Sequence, residues 1–318
     1  MHNLFLETGR NIVRQEYPDD PSRHSRLWHP EEVKDVLMEN KGTECIKAIV
    51  MSNLNKLDAR AAFDAFTSMK KLRLLHANTQ RRIFLVHGSN SVSVQWIMEG
   101  SGCLKYLPCD LKWLTWDYFN LESWPIDFLA KKLVGLQMRH SSIIELCSTR
   151  NMKFLEKLKF LDLSFSKDLI RTPNFECLPR LKKLNLAFCS SLVEVHPSLG
   201  YHSNLVQLNL RSCEKLESLP SCLEMRSLEI LNLSFCSNLK KIPDFVGMTN
   251  LLELDLSHNS IQKLPSTIGD LPSLTYLDIG NCRYLTSIPQ SIWKLNKRAE
   301  VMLYGCPVSG DCFERPQE

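Results

Sequence analysis

A cysteine returns along the second half of this chain at an almost constant interval. The stretch "LNLAFCSSL" places Cys189, "LNLRSCEKL" places Cys213 and "LNLSFCSNL" places Cys236, whereas "LDLSHNSIQKLP" puts Asn259 at the same point. Laid along the chain, the template LxxLxLxx(C/N) starts at Leu111, Leu133, Leu158, Leu181, Leu205, Leu228, Leu251 and Leu274, about 22 to 25 residues apart. A degenerate copy runs from Arg298 through Val301 and Leu303 to Cys306, and an earlier partial copy, "MKKLRLLHAN", begins at Met69. A unit this short cannot enclose a core, so each copy has to lean on the next.

The template carries its own geometry. In "LKKLNL" alternation along a strand turns Leu184 and Leu186 inward and Lys183, Asn185 and Ala187 outward. Successive strands then stack in parallel about 4.8 Å apart, and each buried leucine contributes roughly 1.5–3 kcal/mol. Past the strand the backbone turns inward and leaves peptide groups needing partners in a dry interior. Eight positions after the first leucine, an asparagine amide or a smaller thiol meets that need. Cys189, Cys213, Cys236, Asn259, Cys282 and Cys306 therefore form one internal structural ladder, continued by Ser141 and Ser166. The fold class expected is an α/β leucine-rich-repeat solenoid, a horseshoe with short parallel strands on its concave face, preceded by a small helical segment.

Twelve cysteines would suggest disulfides in an exported protein, but the amino terminus lacks a basic start followed by an apolar stretch. The thiols are expected to stay reduced, and without a CxxC pair no metal site is expected. Proline falls 14 to 16 residues after the start at Pro125, Pro173, Pro197, Pro220, Pro243, Pro265 and Pro289, suiting the return from the strand. Ile261 lies two after Asn259, whereas Leu239 lies three after Cys236, so two turn variants are mixed within one solenoid.

The outward positions define the candidate partner surface. Four after the start stand Asp162, Asn185, Asn209, Asn232, Asp255 and Asp278; two after it stand Phe160, Lys183, Gln207, Ile230, Glu253 and Tyr276. Phe165, Phe188, Phe235 and His258 follow at the seventh place. Polar stripes edged with aromatics suit a protein partner. The net charge of +4 is scattered in pairs such as Arg81-Arg82 and Lys240-Lys241, which makes no case for nucleic acid. No apolar run is long enough to cross a membrane, so no membrane partner is expected. There is no nucleophile motif, metal-ligand spacing or carboxylate pair outside the repeats, and His196 and His202 are expected at the surface. A binding module is indicated, not an enzyme.

The first hundred residues differ. "MHNLFLETGRNIVRQEYP" has helical spacing, "HPEEVKDVLMENKG" reads as a second helix stopped by Gly42, "ECIKAIVMSN" as a strand, and "LDARAAFDAFTSMKKLRLL" as a helix. Through "MHN", "GRNIVRQE", "SRLW" and "VKDVL…NKGTE" the region resembles plant TIR-type nucleotide-binding leucine-rich-repeat (TIR-NBS-LRR) disease-resistance receptors. The matching part joins the winged-helix end of the nucleotide-binding (NB-ARC) domain to the repeats. The resemblance implies a division into 1–40, a helical remnant of that winged helix; 41–68, a linker; 69–306, the repeats; and 307–318, a tail. It also implies innate immunity in the cytoplasm or nucleus. The repeats would bind a pathogen effector, a guarded host protein or the receptor's own nucleotide-binding domain, and restrain the switch.

"MHN" is similar to the family's Met-His-Asp motif, which makes His2 the implied contact to the β-phosphate of ADP. Asn3 replaces the acid, and the chain holds no GxxxxGK[ST] loop, so no cofactor is expected for this chain alone, ADP or ATP belonging to the intact family. With "PVSGDCFERPQE" a poor cap after the last copy, the chain is expected to be a receptor segment or a truncated relative. The alternative is a stand-alone repeat scaffold or adaptor that modulates full-length receptors.

Overall fold

A computed structural model describes residues 2–52, 59–78, 107–118, 131–144, 146 and 155–308. The chain divides into two units, 1–120 with 125–137 and 121–124 with 138–318. Pro125 lies outside the described residues.

The first unit combines helices α1 (His2–Glu16), α2 (Pro30–Met38) and α3 (Ala59–Ser68) with parallel strands. The strands are β1 (Arg26–Leu27), β2 (Ala48–Ser52), β3 (Leu74–Asn78), β4 (Trp113–Trp116) and β5 (Gly135–Gln137), each paired with the next. Pro30 opens α2, whose missing donor costs nothing there, and Glu31 and Glu32 complement its positive end. The helix stops at Asn40 (φ 51°), where Lys41 N–H donates to Val36 O at 2.9 Å. Gly42, expected as the stop, instead lets α3 approach: a Cβ at that position would overlap the carbonyl oxygen of Ala65. Val33, Val36, Leu37 and Phe66 face a core shared with Ile49, Leu75, Leu114 and Leu136. Arg14 holds Glu32 through two contacts of 2.7–2.8 Å, tying α1 to α2.

The early register differs from expectation. Leu74 pairs with Trp113 and is exposed, while Leu72 and Leu75 are buried, so this copy starts at Leu72 and not Met69. Met69 fills the buried place three residues earlier, which Leu155, Leu178, Met225 and Met248 take in later copies. Ala48 pairs with Leu74, which makes Ile46, Ile49 and Met51 the buried positions of a still earlier copy. Segment 41–68, expected as a linker, thus holds β2 and α3, and the sheet reaches back to β1.

In the second unit β6 (Phe160–Asp162), β7 (Lys183–Asn185), β8 (Gln207–Asn209), β10 (Ile230–Asn232), β12 (Glu253–Asp255), β13 (Tyr276–Asp278) and β14 (Glu300–Met302) run parallel in chain order. Equivalent residues are partners throughout, as in Gln207↔Ile230↔Glu253↔Tyr276↔Glu300. The leading leucines Leu158, Leu181, Leu205, Leu228, Leu251 and Leu274 are completely buried. Each return runs through a short 3₁₀ helix, at 175–177, 197–201, 266–270 and 290–294, or through the paired strands β9 (Cys222–Leu223) and β11 (Asp244–Phe245). Pro197 heads its 3₁₀ helix; Pro265 and Pro289 stand just before theirs with φ of −67° and −69°, the angle proline imposes. After Cys189, Cys213, Cys236 and Cys282 the chain makes an extra turn, closed by the amide three residues on donating to the cysteine carbonyl at 2.9–3.1 Å. In the Asn259 copy Ile261 enters the core one residue sooner.

Candidate protein-binding face

The ladder ties each copy to the one before it and so fixes where the outward side chains stand. Cys189 Sγ donates to Leu163 O (3.3 Å), Cys213 to Leu186 O (3.2 Å), Cys236 to Leu210 O (3.2 Å), Cys282 to Leu256 O (3.2 Å) and Cys306 to Ile279 O (3.0 Å). In every case the acceptor belongs to the preceding copy. Asn259 uses its Nδ2 twice, donating to Leu233 O in the previous copy (2.9 Å) and to Leu256 O in its own (2.8 Å). Ser166 continues the column toward Met138 O, with Ser141 Oγ 2.8 Å from its hydroxyl. Burial pushes the Cys189, Cys236 and Cys282 thiols up to about 12 and raises Cys213 further, so all remain protonated donors at neutral pH.

The second column works for the backbone as well. Oδ1 of Asp162, Asn185, Asn209, Asn232, Asp255 and Asp278 accepts the amide two residues on, at 2.7 to 3.2 Å, closing the turn that ends each strand. Asp162 and Asp278 are buried, a correction to the expectation that this stripe lies free on the surface. The four between them are half-buried.

The seventh place was not legible as a conformation. Tyr118, His140, Phe165, Phe188, Ser212, Phe235, His258, Asn281 and Gly305 all have φ between 54° and 69°, the left-handed region. Outside glycine this costs roughly 1–2 kcal/mol per residue. Stacking offsets part of it: His140 lies 4.7 Å from Phe165, Phe165 lies 4.6 Å from Phe188, and Phe235 lies 4.0 Å from His258, all near parallel. Asn281 Nδ2 donates to His258 Nε2 at 3.1 Å.

What remains outward is sorted by charge. Lys159, Lys182 and Lys183 are exposed around β6 and β7; Gln207 and Ile230 are half-buried between; Glu229, Glu253 and Glu300 are exposed toward β14. At the acidic end Tyr276 and Tyr304 hydroxyls reach Asp278 Oδ2 at 3.4 and 3.5 Å. The Asp278 charge raises the Tyr304 phenol, while burial followed by that same charge raises Tyr276. Glu300 and Tyr304 were not among the outward residues expected from the sequence, although the degenerate copy from Arg298 already sets their places; the Leu277↔Val301 pairing puts Glu300 in the same column as Tyr276. His202 is buried, donating through Nε2 to Leu178 O at 2.9 Å, and His196 caps a 3₁₀ helix by accepting Ser198 N–H, so neither is the free surface group expected. His2 is the first residue of α1; its side chain lies outside the described residues, and the phosphate contact rests on the resemblance alone.

These repeats, their in-register strands and their ladder define a leucine-rich-repeat protein. Family models for the leucine rich repeat match residues 226–283 and 273–295. Over most of its length the sequence is similar to TIR-NBS-LRR plant disease-resistance proteins. It is 33% identical to TMV resistance protein N of Nicotiana glutinosa over 308 residues, covering 96% of this chain and 25% of that protein. It is 35% identical to disease resistance protein RPP2A of Arabidopsis thaliana, covering 90% of this chain and 21% of that protein. The chain therefore spans about a quarter or less of the length of these relatives. Among solved structures, a leucine-rich-repeat protein of Leptospira interrogans superposes with a TM-score of 0.53 at 21% identity, covering 83% of this chain and 67% of that one, a likeness of fold.

Proposed function

We propose that the strand face of the second unit binds a protein, either a pathogen effector or a host protein guarded against one, as part of a plant immune receptor. Within such a receptor the same repeats restrain a nucleotide switch in the neighbouring domain. The single supporting observation is that the second-place column from Lys183 to Glu300 is fixed in register on parallel strands and runs from a basic to an acidic end, with Lys183, Glu253 and Glu300 exposed. A graded surface selects partners by electrostatic complementarity and orients them on approach. The role is recognition and not catalysis. Thiol donors that must stay protonated and reduced suit the cytoplasm or nucleus.

Charge reversals that test this belong at Glu253, Glu300 and Lys183, because Asp255 and Asp278 hold backbone amides. The chain is screened by interferometry against a panel of pathogen-secreted proteins and their host targets. Glu253→Lys with Glu300→Lys, or Lys183→Glu, should weaken a binder about tenfold with an unchanged melting temperature. Binders indifferent to every reversal would remove the strand face from consideration.

A further inference from the structure

The copy from Leu205 exchanges its rim residues, as the last copy does with Tyr304 and Gly305. At the sixth place Ser164, Ala187, Ser234 and Ser257 are small and buried, and a ring stands at the seventh. In the copy from Leu205 the large residue, Arg211, takes the sixth place and Ser212 the seventh. Ser212 keeps the left-handed backbone (φ 56°) but offers no ring, so the aromatic column breaks there. Arg211 leans across the break, with its guanidinium carbon 4.8 Å from the Phe235 ring centre. His258 occupies the other side of that ring, and Phe188, one copy back, is 37% exposed. The Arg211 guanidinium has no carboxylate and no hydrogen-bond acceptor among the described residues.

We infer that Arg211 is the anchor for a carboxylate, an Asp or Glu side chain on the bound protein, with Phe188 packing the apolar part of the same segment. This deepens the protein-binding function proposed above and rests on it. The Phe235 ring beside the guanidinium limits the freedom the side chain has left to lose, and its N–H donors find no acceptor among the described residues. A planar fork with its donors unused suits two parallel hydrogen bonds to a carboxylate. An unpaired cation beside exposed and half-exposed rings also has the composition of the residues that dominate binding energy at interfaces.

A random peptide library displayed on phage and panned on the full chain tests the assignment. Enriched peptides should share an acidic residue. Arg211→Ala should weaken them at least about tenfold, and Arg211→Lys should recover only part, because a lysine lacks the planar fork. Changing the peptide's acid to alanine should cost as much on the native chain as Arg211→Ala does, and little on that variant. Thermal melts of both variants should match the native chain. Peptides that lack an acid, or bind the Arg211→Ala chain as well as the native one, overturn the inference. If those same peptides are lost on Glu253→Lys with Glu300→Lys, or on Lys183→Glu, the wider function survives and only the anchor is wrong. Failure to enrich any peptide counts against both.

Discussion

Each ladder thiol is a weak donor placed where two carbonyls converge, and that placement decides which replacements the site accepts. Asn259 shows an amide serving the carbonyl of the previous copy and its own with one nitrogen. Cys236→Asn should therefore reach Leu210 O and Leu233 O and stay within about 1 kcal/mol of the native stability. Cys236→Asp would bury a carboxylate against acceptors with no counterion, and should cost more than about 3 kcal/mol. Urea unfolding of both variants measures the difference, and equal stability would discredit the ladder. The thiols also set an alkaline limit. Their folded pKa of about 12 lies above the ordinary 9.0, so their contribution is intact below about pH 9 and is lost as pH climbs toward 12. Each thiol steepens the decline by about 1.4 kcal/mol per pH unit. Denaturation at pH 8 and pH 10 should show a shallower fall for Cys236→Asn than for the native chain.

At the scale of the element, the six strands from β6 to β13 on the main sheet are each closed by two devices, an Asx acceptor and a left-handed residue three positions later. The first was visible in the sequence as a column of Asp and Asn, though its task was not, because an outward side chain that curls back on its own backbone looks the same in sequence as one free for a partner. The second was invisible, since Phe, His, Ser, Asn and Gly share no chemistry, only a backbone angle. The clue lay in the exchange at Arg211-Ser212. Ser212 bears the left-handed cost without a ring to offset it, so Ser212→Gly should stabilise the chain by up to about 1 kcal/mol. Ser212→Val, branched at Cβ, should destabilise it by about 2 kcal/mol or more. Phe165→Gly should bring no gain, because it removes two stacking partners together with the strain. Melting temperatures rank the three variants, and a stabilising Phe165→Gly would show that the stacks contribute nothing.

For the molecule as a whole, the period was legible from Leu111 onward, through to the degenerate copy from Arg298, and it failed before that point. Ile46, Ile49 and Met51 form a copy that the template misses, and Leu72 to Leu111 is too long a step to register as one interval. Neighbour-to-neighbour construction makes the second unit divisible. Removing 228–250, one whole copy, sets Asn259 against Leu210 O in place of Leu233 O and leaves the remaining strands to pair as before. The shortened chain should fold cooperatively with a smaller urea m-value and the same circular dichroism shape. Collapse to an unfolded spectrum would mean that the copies are not interchangeable neighbours.

The backward reach of the thiols gives the stack a direction in time. A ribosome releases the chain from its amino end, so every sulfur that emerges finds its acceptor already folded upstream, and no copy has to wait for one not yet made. Synthesis can then lay the courses one upon another, and a disturbance in an early course is inherited by those laid after it.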